Sequence, residues 1–152
     1  MSALDWREDC SESLRTSFTI LENQQLCFIE SLSKRSDILF FNIVLDKTII
    51  GVCGFVNLSI VNRIGEISLI LNPEFKCKGY GILAVKLLLN YGFSHIGLRN
   101  IFGESYTCSH SHGFWKKIIK ENHVYNVLLP ERKFFNHHFH DGLYFNFTGI
   151  IQ

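Results

Sequence analysis

The stretch Glu66-Ile67-Ser68-Leu69-Ile70-Leu71-Asn72-Pro73-Glu74-Phe75-Lys76-Cys77-Lys78-Gly79-Tyr80-Gly81-Ile82 decides the fold. Its opening alternates. Ile67, Leu69 and Leu71 fall on one face, and Glu66, Ser68 and Ile70 on the other, which is strand patterning. Asn72-Pro73 stops the strand, since proline has no N–H to give to a ladder. A short loop with two glycines follows, and then an apolar helix from Ile82 to about Ser94. A helix N-terminus carries unsatisfied N–H groups and the positive end of the helix dipole. Gly79 and Gly81 let the backbone approach a ligand closely. Lys76 and Lys78 add positive charge. The ensemble suits an anion such as a pyrophosphate. It is neither GxxxxGK[ST] nor a complete GxGxxG. The bland alternative is a loop that needs its glycines only for packing.

Outward from this unit the elements fall into place. Glu22 to Lys34 has helical spacing, with Leu26, Ile29 and Leu32 on one side. Ile38 to Leu45 reads as a strand, Asp46-Lys47 as a tight turn, and Thr48 to Ile60 as a longer strand. Gly51 and Gly54 inside it mark close packing or a bulge. Asn62-Arg63 closes the next hairpin. Downstream, Asn100 to Tyr106 reads as a strand and His112 to Asn122 as a helix. Val124 to Leu129 and Leu143 to Phe147 read as two closing strands, joined by a loop or bent ribbon rich in Phe and His. Hairpins before a strand–helix–strand unit imply an α/β (α+β) fold, a mixed sheet with helices on its faces.

The chain has 152 residues, and residues 1–152 read as one domain with no linker. Hydrophobic residues make up 47% and charged residues 19%, which excludes a disordered chain. Fifteen Lys and Arg stand against 14 Asp and Glu, so nothing marks a nucleic-acid binder. The apolar runs are too short to span a bilayer, and no signal-peptide core opens the chain. The five cysteines are widely spaced without a CxxC, which argues for reduced thiols in a cytoplasmic protein and against a disulfide framework. Phe134 to His140 holds three histidines without a partner carboxylate or cysteine at metal spacing, so no metal is expected.

Several motifs together resemble the GNAT superfamily of acetyl-CoA-dependent N-acetyltransferases. Lys76-Cys77-Lys78-Gly79-Tyr80-Gly81 is similar to the family's Q/R-x-x-G-x-G/A loop. Ile49 to Phe55 resembles its "IGxxGL" strand. Asn62-Arg63-Ile64-Gly65-Glu66-Ile67-Ser68 resembles the "NRxAEIS" strand of one branch, and Leu87 to Phe93 the "LLxYxF" helix. Trp6-Arg7 and Thr19 to Phe28 resemble the opening of the RimL-like and sugar-nucleotide N-acetyltransferase branches.

The resemblance implies a GNAT-like, mostly antiparallel central sheet flanked by helices and splayed at the family's strands four and five, here Glu66 to Leu71 and Asn100 to Tyr106. It implies acetyl-CoA as co-substrate and no metal. Backbone N–H groups of Lys78, Gly79, Tyr80, Gly81 and Ile82 would hold the pyrophosphate, beside Lys76 and Cys77. The pantetheine arm would add like a strand along Leu69, Ile70 and Leu71. Ser109 would touch the pantetheine or the leaving thiol. A small-molecule amine, most specifically on a nucleotide-linked amino-deoxysugar, is the implied acceptor. The alternatives are a protein N-terminus, a polyamine, or a non-catalytic acyl-CoA-binding module. No nucleic acid or membrane is implied, and a homodimer is compatible with the family.

Amine acetylation needs a base, because an ammonium of pKa about 10 cannot attack a thioester. Glu66 matches the family's strand-four carboxylate and is the first candidate. The alternative is a hairpin-paired strand charge. Glu104 is the second candidate, with a solvent-facing strand charge as the competing reading. His110 is the candidate acid for the leaving thiolate, with a solvated surface histidine as its alternative. The family's usual tyrosine position falls on Trp115, whose indole N–H cannot act as an acid at neutral pH.

Overall fold

In a computed structural model, the structure describes Trp6, residues 22–32 and residues 34–149. Most of the opening that resembles the sugar-nucleotide branch, including Arg7 and Thr19, lies outside the described residues. Helix α1 (Glu22–Leu32) precedes three strands, β1 (Leu39–Leu45), β2 (Thr48–Ser59) and β3 (Ile64–Leu71). Then come α2 (Tyr80–Tyr91), β4 (Asn100–Tyr106), α3 (His112–Glu121), β5 (Tyr125–Phe135) and β6 (His138–Thr148).

The six strands form one sheet in the order β1-β2-β3-β4-β6-β5. Every neighbouring pair is antiparallel except β3 and β4, which run parallel around α2. The mixed, mostly antiparallel sheet is therefore as expected.

Local chemistry accounts for the boundaries. Asp46 and Lys47 both take positive φ, which lets a two-residue turn match the twist of its strands. Gly51 lies beside the bulge at Ile43/Val44, and a Cβ there would meet the Ile70 carbonyl oxygen at 2.6 Å. Asn72 ends β3 by accepting a hydrogen bond from the Glu74 N–H at 3.1 Å, and Pro73–Phe75 forms a single 3-10 turn.

Three sequence expectations need correction. Helix α2 starts two residues earlier than Ile82, because Gly79 supplies the left-handed N-cap. It ends at Tyr91 and widens into a π-helical turn, Gly92–Ile96, closed by Gly97 at φ 75°. The closing strands are longer than their apolar cores. Asn136 and His137 form a tight positive-φ turn, so of the two readings, loop or bent ribbon, the Phe- and His-rich segment is the ribbon, paired as ladder. Finally, the apolar stripe of α1 is only partly covered, with Leu26 and Ile29 about half exposed.

The core lies on one face of the sheet. Phe55, Ile67, Ile101 and Phe145 meet Val85 and Leu88 of α2 and Ile118 of α3 there. Cross-strand partners share a face. Phe102 with Asn146, Glu104 with Tyr144 and Tyr106 with Gly142 therefore point to the opposite face.

Candidate active site

Strands β3 and β4 pair at only three positions: Ile64 with Asn100, Gly65 with Ile101, and Glu66 with Phe102. Beyond Glu66 they part, as expected of a splayed sheet. The gap opens a cavity of about 760 Å³. Ile67 to Leu71 form one wall, and Gly103, Glu104 and Tyr106 the other. Phe114 and Trp115 of α3 close the helix side, where Trp115 stacks on Phe145 at 4.8 Å between centroids.

At one end stands the start of α2. Gly79 sits at φ 88° and no side chain caps the helix. Cys77 is also left-handed, at φ 60°. A Cβ built on Gly79 would meet nothing within 4 Å. The first amides of α2 therefore face open space beside Lys76, a cradle that fits an anionic group at the end of an elongated ligand. Lys76, Cys77, Gly79, Gly81 and Ile82 line the cavity, as do Leu69, Ile70 and Leu71.

Lys78, Tyr80 and Ser109 do not line it. The Lys78 ammonium lies over the Phe75 ring at 5.3 Å, and Tyr80 packs against the same ring. Ser109 is buried in the turn before α3. Its hydroxyl accepts from the Ser111 N–H at 3.0 Å and bonds the Ser111 hydroxyl at 2.7 Å. Ser111, the N-cap of α3, is the serine of this turn that lines the cavity.

Both candidate catalytic residues reach it. Glu66 is buried at 8% exposure, with its carboxylate accepting from Asn57 Nδ2 at 2.7 Å. Tyr144 lies near enough that its hydroxyl pKa is pushed up, by burial first and then by the Glu66 charge. His110 is exposed and lines the cavity from the loop after β4. His112 lies off the cavity. Burial and then the Lys116 charge hold its pKa below the ordinary histidine value.

Glu104 corrects the expectation of a solvent-facing charge. Its side chain is 4% exposed and pairs with Arg132 Nε at 2.9 Å. The reason is topological: β6 places Gly142 opposite Tyr106, leaving room for Arg132 of β5 to reach across. A Cβ on Gly142 would collide with Glu104 Oε1 and approach Arg132 Cβ at 3.0 Å. Sequence reasoning missed Tyr106, Ser111, Phe114 and Lys117 as cavity residues. Strand alternation from Glu104 would have found Tyr106.

A mixed sheet split beside a glycine-loop helix belongs to the class of α/β acyltransferases. The family description "Acetyltransferase (GNAT) domain" matches residues 6–108, more than half of the chain. The chain belongs to the GNAT acetyltransferases and is by class an acetyl-CoA-dependent acyltransferase. No curated protein sequence matches it.

Solved structures with the same fold include a mutant form of the spermidine/spermine N-acetyltransferase SpeG from Vibrio cholerae. It is 15% identical with a TM-score of 0.80, over 95% of this chain and 85% of that one. A dodecameric spermidine N-acetyltransferase from the same organism gives 15% identity and a TM-score of 0.78, over the same shares. The N-acetyltransferase PseH from Campylobacter jejuni, in complex with acetyl coenzyme A, gives 21% and 0.64 over 83% of this chain and 78% of that one. Among the described residues no helix is long and apolar enough to cross a membrane.

Proposed function

We propose that the protein moves the acetyl group of acetyl-CoA to the primary amine of a small molecule by direct attack within a ternary complex. The observation that carries this is the two-sided cleft. The open cradle at Gly79 and the β3 edge sit at one end, and a buried carboxylate, Glu66, at the other. Backbone amides from Lys78 to Ile82, with Lys76 and Cys77 beside them, hold the coenzyme diphosphate. Main-chain groups of Leu69, Ile70 and Leu71 pair with its arm. Ser109 stands behind this end by fixing Ser111.

Glu66 takes one proton from the acceptor ammonium, directly or through water. The amine nitrogen then bonds the acyl carbon, the C–S bond breaks, the nitrogen gives up its second proton to solvent to leave a neutral amide, and the thiolate gains a proton. His110, exposed at the same cavity, carries protons from solvent to this leaving-group side. Acetyl-CoA is the co-substrate, and the reaction needs no metal. The widely spaced, free thiols Cys27, Cys53 and Cys77 support a reducing, cytoplasmic setting.

For the acceptor, the reading favours an amino group on a nucleotide-linked deoxysugar. The resemblance of Asn62 to Ser68 supports it. A polyamine calls for several free carboxylates. Glu66 and Glu104 are the acidic residues described at the cavity, and Arg132 already neutralises Glu104.

Thermal unfolding with acetyl-CoA tests the coenzyme half. Saturation at 100 times Kd adds about 2.7 kcal/mol, roughly 5–10 °C. Turnover of UDP-glucosamine in preference to spermidine supports the acceptor half, and the reverse preference overturns it. Binding without turnover of either amine would leave a non-catalytic acyl-CoA module.

A further inference from the structure

Glu66 and Glu104 stand on one face of the sheet. Glu66 pairs with Phe102, and Glu104 is two residues further along β4 on the same side. By strand spacing alone their Cα atoms are about 8 Å apart. Both residues line the cleft. The separation is roughly the reach of a hexose with one substituent at each end.

The two carboxylates have different partners. Glu66 accepts from the uncharged amide of Asn57 at 2.7 Å. Glu104, with its side chain 4% exposed, accepts from Arg132 Nε at 2.9 Å. The stem of Arg132 crosses the bare position at Gly142, where a Cβ would come within 3.0 Å of both Arg132 Cβ and Cγ. The guanidinium is therefore tied by one nitrogen on the face that carries Glu66. Its side chain stays half exposed, and among the described residues Glu104 is its one hydrogen-bond acceptor. Asp141, beside Gly142, accepts instead from the Glu131 N–H at 3.0 Å. Lys133 is 5% exposed, with its ammonium over the rings of Tyr106 and Phe135 at 5.1 Å and 5.3 Å. Arg132 is thus the solvent-reaching cation of this group.

A purely structural pair at this place would gain little. A buried carboxylate loses its hydration, and apolar residues of similar volume often serve as well. A guanidinium held at Nε still presents the parallel N–H groups of Nη1 and Nη2. That fork matches phosphoryl oxygens, which a lysine cannot grip in the same way.

We infer that Arg132 binds a phosphoryl group of the amine acceptor, and that Glu104 is a positioning residue that holds the guanidinium for it. The inference rests on the transferase reading above and deepens it. The acceptor is an amine whose negative charge lies one sugar ring away from the nitrogen that reacts. A sugar phosphate and a nucleotide-linked sugar both have this chemistry. A polycation without a phosphoryl group meets only repulsion from Arg132.

The test uses the full chain with acetyl-CoA and three acceptors that share one amine: glucosamine, glucosamine 6-phosphate and UDP-glucosamine. The better phosphorylated acceptor should exceed glucosamine in kcat/KM by about 10- to 100-fold, the scale of a charge-assisted bidentate contact. The gain should appear in KM rather than kcat. Which of the two phosphorylated forms leads identifies the source of the phosphoryl group. Removing Arg132 alone would strand a buried carboxylate, so the main variant is double, Glu104→Gln with Arg132→Gln. It should cancel the advantage of the phosphorylated acceptors, while the thermal shift given by acetyl-CoA persists. Arg132→Lys keeps the charge without the fork and should retain part of the advantage. Glu104→Gln alone unties the guanidinium and should raise the KM of the phosphorylated acceptors several-fold, more than that of glucosamine.

Equal kcat/KM for all three amines in the native chain overturns the inference. So does an advantage that survives the double variant. Should that variant fail to fold, an Arg132→Lys chain with an undiminished advantage overturns it as well. A chain that acetylates none of these amines, nor spermidine, overturns the transferase reading. Calorimetry on the chain loaded with coenzyme A then decides Arg132 separately: glucosamine 6-phosphate should bind more tightly than glucosamine, and equal binding removes its role.

Discussion

The two ends of the cleft are built by different means. The end proposed for the coenzyme is backbone, contiguous in sequence, and made of seven residues from Lys76 to Ile82 around Gly79. The end proposed for the acceptor is side chain, assembled from β2, β3, β4 and β5: Asn57 on Glu66, Arg132 on Glu104, Lys133 on Tyr106. A backbone site depends on conformation and tolerates varied side chains. A side-chain site depends on register and fails when one strand shifts. The first should therefore break by binding, and the second by turnover.

The largest effect should come from Gly79→Glu. The new residue is strained at φ 88° and places a negative charge where an anion would sit. Acetyl-CoA should then give no thermal shift, read by calorimetry. Gly79→Ala carries the strain without the charge and should keep part of the shift. A full shift in Gly79→Glu would move the coenzyme away from this loop.

Glu66→Gln should leave that shift intact and lower kcat about 100-fold or more, with the greatest loss at low pH, where the acceptor is most fully protonated. Equal rates for both chains across the pH range would take Glu66 out of the base role. Gly142→Ala comes next. Its Cβ has to displace the Glu104 carboxylate, so overpacking of about 1–3 kcal/mol is expected. The Michaelis constant for the amine should rise several-fold while that for acetyl-CoA holds.

The smallest effect concerns His112. Its folded pKa lies below the unfolded value of about 6.5, by burial first and the Lys116 charge second. Between those two values the unfolded chain binds more protons, so stability falls as pH drops through this window and is fully present above it. Urea unfolding of the native chain and of His112→Gln, compared between pH 5 and 7.5, should show a shallower loss in the variant.

This contrast also sets what the sequence could reveal. The loop was legible because helix starts, glycine dihedrals and strand alternation are local properties. Strand β4 was bounded correctly for the same reason, and the split sheet followed from the resemblance carried by these motifs. The fate of Glu104 was not legible. Nothing near it in sequence says that Arg132, 28 residues on, will cover it, or that Gly142 will leave the space. The β5–β6 hairpin was underestimated because its outer half, Lys133 to His140, lacks the apolar alternation that marks a buried strand. Two positive-φ residues, Asn136 and His137, hold the turn without a glycine. Ser109 and Ser111 are exchangeable by composition, and only the turn geometry decides which one faces the cleft.

The brevity of the β3–β4 contact has a mechanical consequence. The sheet is two three-stranded leaves sewn together by three residue pairs at one end. Past that seam, alternate amides of Ile67 to Leu71 face a gap where another sheet would have rungs. A ligand that hydrogen-bonds there becomes a removable piece of the fold. Hydrogen exchange at those amides should slow when the coenzyme is present, while the amides that tie β3 to β2 should change little. The protein would then finish its own sheet each time it loads, and take it apart again each time the spent thiol leaves.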